Sequence, residues 1–264
     1  MDLIAPRLFC IGTHHKTGTL WMRAVFRRLA NAIGVAHHVT FPNQGLRLVP
    51  ETERVFLFQW SSKFPTEVLD RPDARILHMI RDPRDVLLSG MRYHLHAPVE
   101  GEQFLHEPRD DLGGKTYQQH LNALSGNADR LLFEMREKHA KTLAEMLAWE
   151  ARPNTIEVRY EDLMRDTEGR AFREHLRDLG LPEPEVEAGT KIFWEQSLFG
   201  GLADEATRVD RIKAHVASGK VAQWRDHLPE AVADAYADEY GQALVDLGYE
   251  DHPTAWLEEV RHAA

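Results

Sequence analysis

Leu8-Phe9-Cys10-Ile11-Gly12-Thr13-His14-His15-Lys16-Thr17-Gly18-Thr19-Leu20-Trp21 decides how the rest of this 264-residue chain is read. Leu8 to Ile11 is an apolar run of strand length. Leu20, Trp21, Ala24, Val25, Arg28, Leu29 and Ile33 then recur at helical spacing. Between the two lies a polar loop with Gly12, Gly18, Lys16 and several hydroxyl residues. A buried strand feeding such a loop into a helix N-terminus presents backbone N–H groups and a cation, which together favour phosphate or sulfate. The turn is therefore predicted to bind an anionic ligand.

The nucleoside-triphosphate loop, GxxxxGK followed by Ser or Thr, does not describe this turn, because Lys16 precedes Gly18 instead of following a glycine. Lys16-Thr17-Gly18-Thr19-Leu20-Trp21 instead resembles the Lys-Ser/Thr-Gly-Thr-x-Trp loop of sulfotransferases that use 3′-phosphoadenosine 5′-phosphosulfate (PAPS). It departs at Leu20, where the family commonly has a second threonine.

A second segment carries the same resemblance. Arg75-Ile76-Leu77-His78-Met79-Ile80 reads as a strand and ends in Arg81-Asp82-Pro83-Arg84-Asp85-Val86-Leu87-Leu88-Ser89. This is similar to the family's 3′-phosphate motif, Arg-Asn/Asp-Pro-Lys/Arg-Asp followed by a serine. Arg81 falls at the carboxyl end of a strand, where open α/β sheets bind ligands. Pro83 suits the first turn of the next helix, with Asp82 as its cap. An arginine fork and the Ser89 hydroxyl are expected to touch the phosphate. Arg84 and Asp85 are expected to be largely structural.

Three further segments follow in the family's order. Glu157-Val158-Arg159-Tyr160-Glu161-Asp162-Leu163 resembles its strand-end Tyr-Glu-Asp-Leu, which implies Tyr160 against the adenine. Phe193 to Leu202 resembles the segment that completes the adenine pocket, with Ser197 and Phe199 at the implied positions. Gly219-Lys220-Val221-Ala222-Gln223-Trp224 resembles the closing Arg-Lys-Gly-x-x-Gly-Asp-Trp loop. There Ala217 and Ser218 replace the Arg-Lys pair that clamps the 3′-phosphate in the family, so either backbone amides and Lys220, Arg211 or Lys213 supply the charge, or donor affinity is lower.

Composition bounds the reading. A chain of this length can form one large α/β domain, and 43% hydrophobic with 28% charged residues is ordinary for a globular protein. The 32 basic and 42 acidic residues give a net charge of −10, which argues against general nucleic-acid binding. The single cysteine, Cys10, sits in a predicted buried strand and excludes an internal disulfide and a zinc-type cysteine cluster. With neither a signal-like leader nor a membrane-length apolar run, a cytoplasmic protein without membrane contact is expected.

Strands are predicted near 8–12, 54–58, 75–80 and 155–159, and helices near 19–33, 83–95, 116–124, 130–150, 167–179 and 230–247. Their alternation predicts a single α/β domain, residues 1–264, with a mainly parallel central sheet flanked by helices and a P-loop-like phosphate-binding turn. Residues 96–115, rich in Pro, Gly, Glu and Asp, are read as a lid over an acceptor pocket, with a disordered surface insert as the alternative.

The resemblance implies metal-independent, in-line transfer of a sulfonate from PAPS to a hydroxyl or amine, leaving adenosine 3′,5′-bisphosphate. The acceptor, a small molecule or a carbohydrate, is not identified by sequence, nor is the oligomeric state. Lys16 would steady the leaving oxygen, and Thr17, Thr19 and the loop amides would hold the 5′-phosphate. The histidine that many members carry after the second strand is missing from Gln59–Pro65. His94 is the first candidate for the base, with His96, Glu100 and Glu102 next. His94-x-His96 has chelating spacing without a third ligand, so no metal is expected. His14-His15 and His37-His38 are read as loop and surface histidines, because neighbours on an extended chain point apart. A P-loop kinase using ATP and magnesium and a non-catalytic nucleotide-binding protein are the alternatives.

Overall fold

Leu8–Gly12 forms strand β1 with every residue buried, as an apolar run at the centre of a parallel sheet requires. In the computed structural model, which describes residues 5–40, 53–197 and 221–263, four more strands join it. They are β2 (Ala36–Val39), β3 (Val55–Gln59), β4 (Ala74–Ile80) and β5 (Thr155–Arg159). The order is β2-β3-β1-β4-β5 and every pairing is parallel. The α/β class and parallel sheet expected from sequence are what is observed. β2 is an addition: it is short, lies at an edge and is only half-buried, so it carries no apolar signature.

Internal contacts divide the chain into two compact units, Met1–Arg81 with Ala148–Arg211, and Asp82–Leu147 with Ile212–Ala264. The first unit holds the sheet. Side chains alternate along its strands with period two. Leu8, Cys10, Val55, Leu57, Ala74 and Ile76 form one core with Phe64, Val68 and Leu69, the last two from the short helix α2 (Thr66–Leu69). Phe9 and Phe56, ring centroids 4.9 Å apart, lie on the opposite parity and meet Phe26 of helix α1 (Thr19–Ala32).

The second unit begins with helix α3 (Pro83–His94) and continues through α4 (Tyr117–Ala123), α5 (Asn127–Glu134) and α6 (Ala140–Leu147). The first unit resumes with β5, α7 (Tyr160–Arg165), α8 (Arg170–Asp178) and α9 (Glu183–Gln196), and α1 and α8 both pack on α9. The second unit ends with α10 (Trp224–His227), α11 (Glu230–Asp246) and α12 (Leu257–Ala263). Gly248, at φ 68°, closes α11, and the Tyr249 N–H turns back to the Leu244 carbonyl.

The helix expected over 130–150 runs from α5 to α6 but is interrupted by a π-turn, Met135–His139, and stops at Leu147. Along this run Met135, His139, Leu143 and Met146 are buried, whereas Leu147 and Glu150 are exposed. Residues 96–115 are fastened within their unit. Leu105 is fully buried, Gln118 donates to the Ala97 carbonyl at 3.0 Å, and Arg109 pairs with Glu137 at 2.8 Å.

His139 gives this unit a titration. It is buried, its Nε2 lies 2.9 Å from the Tyr236 hydroxyl, and burial pushes its pKa from 6.5 to about 3. A histidine held neutral by the fold contributes stability above its unfolded pKa and loses it as pH falls from 6.5 towards 3. The slope is about 1.4 kcal/mol per pH unit. His139→Gln removes that titration. The stability difference between wild type and variant, measured by urea unfolding at pH 7, 6 and 5, is expected to narrow by that slope. A difference independent of pH would show that His139 does not titrate in the unfolding transition.

Candidate active site

Gly12 ends β1, and the loop Thr13–Gly18 joins it to α1. The loop is organised on the backbone of His14. The Thr17 hydroxyl accepts the His14 N–H at 2.9 Å and donates to the His14 carbonyl at 3.0 Å. The Thr19 hydroxyl donates to the same carbonyl at 2.9 Å and lies 2.9 Å from that of Thr13. Thr17 and Thr19, expected from sequence to face a phosphate, thus fasten the loop.

Lys16 sits at φ 64° and Gly18 at φ 106°, both left-handed. Gly18 is the N-cap of α1 and supplies no side-chain acceptor, and the first turn of α1 contains no acid. The first-turn N–H groups, which no helical carbonyl can reach, therefore meet no negative charge from their own helix. Leu20 is 55% exposed beside them. This is the positive pole the sequence implied.

Arg81, one residue past β4, reaches this loop. Its guanidinium donates to the Lys16 carbonyl at 3.2 Å and lies 4.4 Å from the centre of the Tyr160 ring. Tyr160 starts α7 straight after β5 and is buried, and the Trp21 indole meets it edge-on at 6.1 Å. The other neighbour of Trp21 is Phe193 of α9, stacked at 5.1 Å, with Phe172 behind it at 4.2 Å. Phe193 was read from sequence only as the start of a segment. Its position against Trp21 makes it part of the aromatic wall. Ser197, buried at the end of α9, donates to the Trp194 carbonyl at 2.7 Å.

Lys16, Thr17, Gly18, Thr19, Leu20, Trp21, Arg81 and Tyr160 are thus neighbours within the first unit. Phe199, Gly219 and Lys220 lie outside the described residues, as do Ala217 and Ser218. A shallow depression opens beside the loop, lined by Thr13, Thr19, Arg23, Gln59 and Trp60 among others.

The second unit holds the remaining motif residues. Asp82 caps α3 through the Arg84 N–H at 3.0 Å. Arg84 is buried, pairs with Asp82 at 2.8 Å and Glu250 at 2.5 Å, and lies 3.7 Å from the Trp224 ring centre. Asp85 accepts the Trp224 N–H at 3.1 Å. Arg84 and Asp85 therefore play the structural part expected of them. Ser89 is half-buried on α3.

His94 is completely buried, and its Nδ1 lies 2.8 Å from Glu134 Oε2, which also accepts the Tyr117 hydroxyl at 2.7 Å. The sequence reading puts His94 near the expected pocket mouth, about a turn and a half beyond Ser89 and towards the acceptor side. Five residues along an α-helix is about 140° around its axis, so the two side chains leave α3 in different directions. His96 and Glu100 are exposed and Glu102 is half-buried beside Tyr93.

The sulfotransferase-domain family matches residues 6–248. The chain belongs to the sulfotransferase family. Sulfonate transfer, which the two phosphate motifs implied, follows from that membership, and the kinase alternative is not favoured. Among solved structures, a mouse sulfotransferase crystallised with PAP is 18% identical, over 98% of this chain and 89% of that one, at TM-score 0.50. Retinol dehydratase in complex with retinol and PAP is 16% identical, over 91% and 82%, at TM-score 0.53. The same enzyme with androsterone and PAP gives 16% over 91% and 81%, at 0.51. These likenesses establish the fold. A search of curated proteins found no significant match. No helix among the described residues is long and apolar enough to cross a membrane.

Gly18 tests the loop directly. A Cβ there would come within 2.8 Å of Met79 Cε and 3.2 Å of Tyr160, at a φ that side chains rarely adopt. Gly18→Ala is expected to destabilise the protein by about 1–3 kcal/mol in urea unfolding. Gly34→Ala, also at positive φ but with no atom within 4 Å, isolates the backbone share and should cost less. Equal losses would show that the Gly18 contacts can relax.

Proposed function

We propose that this sulfotransferase binds the phosphates of PAPS at the Lys16 loop and Arg81, and transfers its sulfonate to the hydroxyl or amine of a small-molecule or carbohydrate acceptor. The observation that carries the reading is Arg81, which bonds the Lys16 carbonyl and covers Tyr160, so that both cations and an aromatic ring belong to one uncapped helix N-terminus. That donor set fits an anionic purine nucleotide: amides and cations for phosphate, rings for the base.

In this reading Lys16 and the first amides of α1 hold the 5′-phosphate, while Thr17 and Thr19 keep the loop in shape. Arg81 and Ser89 take the 3′-phosphate, and Trp21, Tyr160, Ser197 and Phe199 surround the adenine. Gly219 and Lys220 close the donor site in place of the family's Arg-Lys pair. The donor supplies a sulfonate on a phosphate leaving group. As the acceptor oxygen bonds to sulfur and the S–O bond to phosphate breaks, negative charge grows on the bridging oxygen. Lys16 is the fixed cation that stabilises it. A sulfonate carries less charge than a phosphoryl group, so the scheme needs no divalent metal.

The acceptor proton goes to a base, for which His94 is the first candidate and His96, Glu100 and Glu102 the others. The carboxylate of Glu134 against His94 Nδ1 supports it, because Nδ1–H then faces the carboxylate and Nε2 carries the lone pair. Residues 96–115 are the proposed lid over the acceptor. Retinol and androsterone, bound in the solved relatives, are the kind of small, largely apolar alcohol that suits this scheme.

Calorimetry without magnesium is expected to show adenosine 3′,5′-bisphosphate binding more tightly than ADP or ATP. Arg81→Ala should erase most of that preference, at a cost of about 1.5–3 kcal/mol for a charge-assisted contact. Equal affinity for nucleotides that lack a 3′-phosphate would exclude this donor. Turnover is measured with PAPS labelled at sulfur and pooled acceptors. Lys16→Met should lower it on the order of a hundredfold while donor affinity falls less. A variant with near-native turnover would make Lys16 a bystander.

A further inference from the structure

One polar cluster in the first unit has no counterpart in any phosphate motif. His78 stands in β4 among apolar residues, is 1% exposed, and faces two partners. Its Nδ1 lies 2.7 Å from Glu157 Oε2 on β5. Its Nε2 lies 2.8 Å from Nε2 of His14, which is completely buried in the donor loop. Strand register builds this line, since Gly12 of β1 is paired with His78 and His78 with Glu157. Trp149 stacks on the His78 ring at 4.2 Å and donates its indole N–H to Glu157 Oε1 at 2.9 Å.

The protons on this line can be assigned. An indole nitrogen only donates, so Glu157 receives a hydrogen bond on Oε1 from Trp149. An ionised Glu157 can only accept, which puts a proton on His78 Nδ1. His78 Nε2 then carries a lone pair, and His14 Nε2 donates to it. The remaining nitrogen, His14 Nδ1, is a lone pair, and it has no hydrogen-bond partner in its buried position. An N–H there would be an orphaned buried donor, the costlier arrangement.

We propose that His78 and Glu157 are positioning residues for the donor-phosphate loop, acting through the side chain of His14. The inference rests on the reading above, that this loop holds the donor phosphate. The backbone of His14 carries the hydroxyls of Thr17 and Thr19, and Lys16 follows two residues later. Whatever fixes the His14 ring fixes the place from which Lys16 and the first amides of α1 are presented. The line ends at a carboxylate that is 44% exposed, so solvent protons reach its far end.

The arrangement accommodates one proton between the two facing Nε2 atoms. A second would set two N–H groups head to head at 2.8 Å. The titratable and charged groups facing His14 are His78 from β4 and Lys63 from the turn after β3, with Glu157 acting on it through His78. Burial, then His78, then Lys63 hold the His14 pKa well below its usual value. Protonation is therefore resisted by the fold, and acid works against the loop as pH falls below about 6.5.

The test uses full-length protein and adenosine 3′,5′-bisphosphate. Glu157→Gln keeps the size of a half-exposed side chain but leaves one acceptor oxygen for two donors. Its affinity for the bisphosphate should be lower by on the order of tenfold at pH 7.5, and the wild-type to variant ratio should shrink towards one only well below pH 6.5, where His14 takes up a proton. The phosphate's own titration cancels in that ratio. Asn154→Ala, which loses bonds to the Leu69 and Ala74 carbonyls beside β5, is the structural control and should lower the melting temperature without changing the pH profile of binding. A Glu157→Gln protein with native affinity and native pH profile would overturn the proposal.

Ring ¹⁵N shifts of the ligand-free protein give the second readout. They should report His14 protonated on Nε2 and His78 on Nδ1 at pH 7. The opposite tautomers would also overturn it. This readout needs no ligand. If the wild type fails to bind the bisphosphate, the donor assignment falls, while the shifts still decide whether the relay exists.

Discussion

The carbonyl and N–H of His14 set the geometry on which the donor end of this protein depends. A strand buried on all sides must become a helix within the span Thr13–Gly18. It does so without capping that helix, where a carboxylate would neutralise the positive pole. Thr17 and Thr19 bond to the strand-side residue His14, and Gly18 turns the chain through a φ that only glycine adopts at no steric cost. The helix N-terminus stays open because the fastening is placed behind it.

α3 solves the opposite problem. Asp82 caps it and Asp85 lies in its first turn, so its positive pole is satisfied by its own sequence. Arg84 is enclosed by two carboxylates and by the rings of Trp224 and Trp256. A buried guanidinium is tolerated there because every charge it meets is opposite and its faces lie on aromatic rings. The two phosphate motifs look alike in sequence, as a strand, a basic residue and a helix start, yet only the first leaves its helix pole uncapped. The part of the second motif that reaches the first is Arg81, which bonds the Lys16 carbonyl and precedes the cap.

How much was legible follows from what each residue is asked to do. β1, β4 and α1 were readable because burial on a sheet and on one helix face leaves an apolar periodicity. α9 was not, since its buried positions include Gly189, Thr190 and Gln196. The π-turn at Met135–His139 was not, because a shift in hydrogen-bond ladder leaves no compositional trace. For His14-His15 the geometric premise was sound and the conclusion was not. Adjacent side chains do point apart, and for that reason one of them is buried while the other is half-exposed. The available signal was His78, a lone imidazole in the apolar run Ile76–Ile80, which had to have a partner.

That partner changes how the missing residues of the family pattern are understood. A sequence lacking the usual histidine after the second strand and the closing Arg-Lys pair could be taken as a decayed site. The residues around the donor loop argue otherwise. β4 and β5 each deliver one polar residue to one line, the loop after β1 delivers the third, and a tryptophan covers that line. Burying imidazoles in a sheet core costs free energy unless each nitrogen's role is defined. Here that cost falls beside the loop that carries Lys16, whose backbone is fastened on His14.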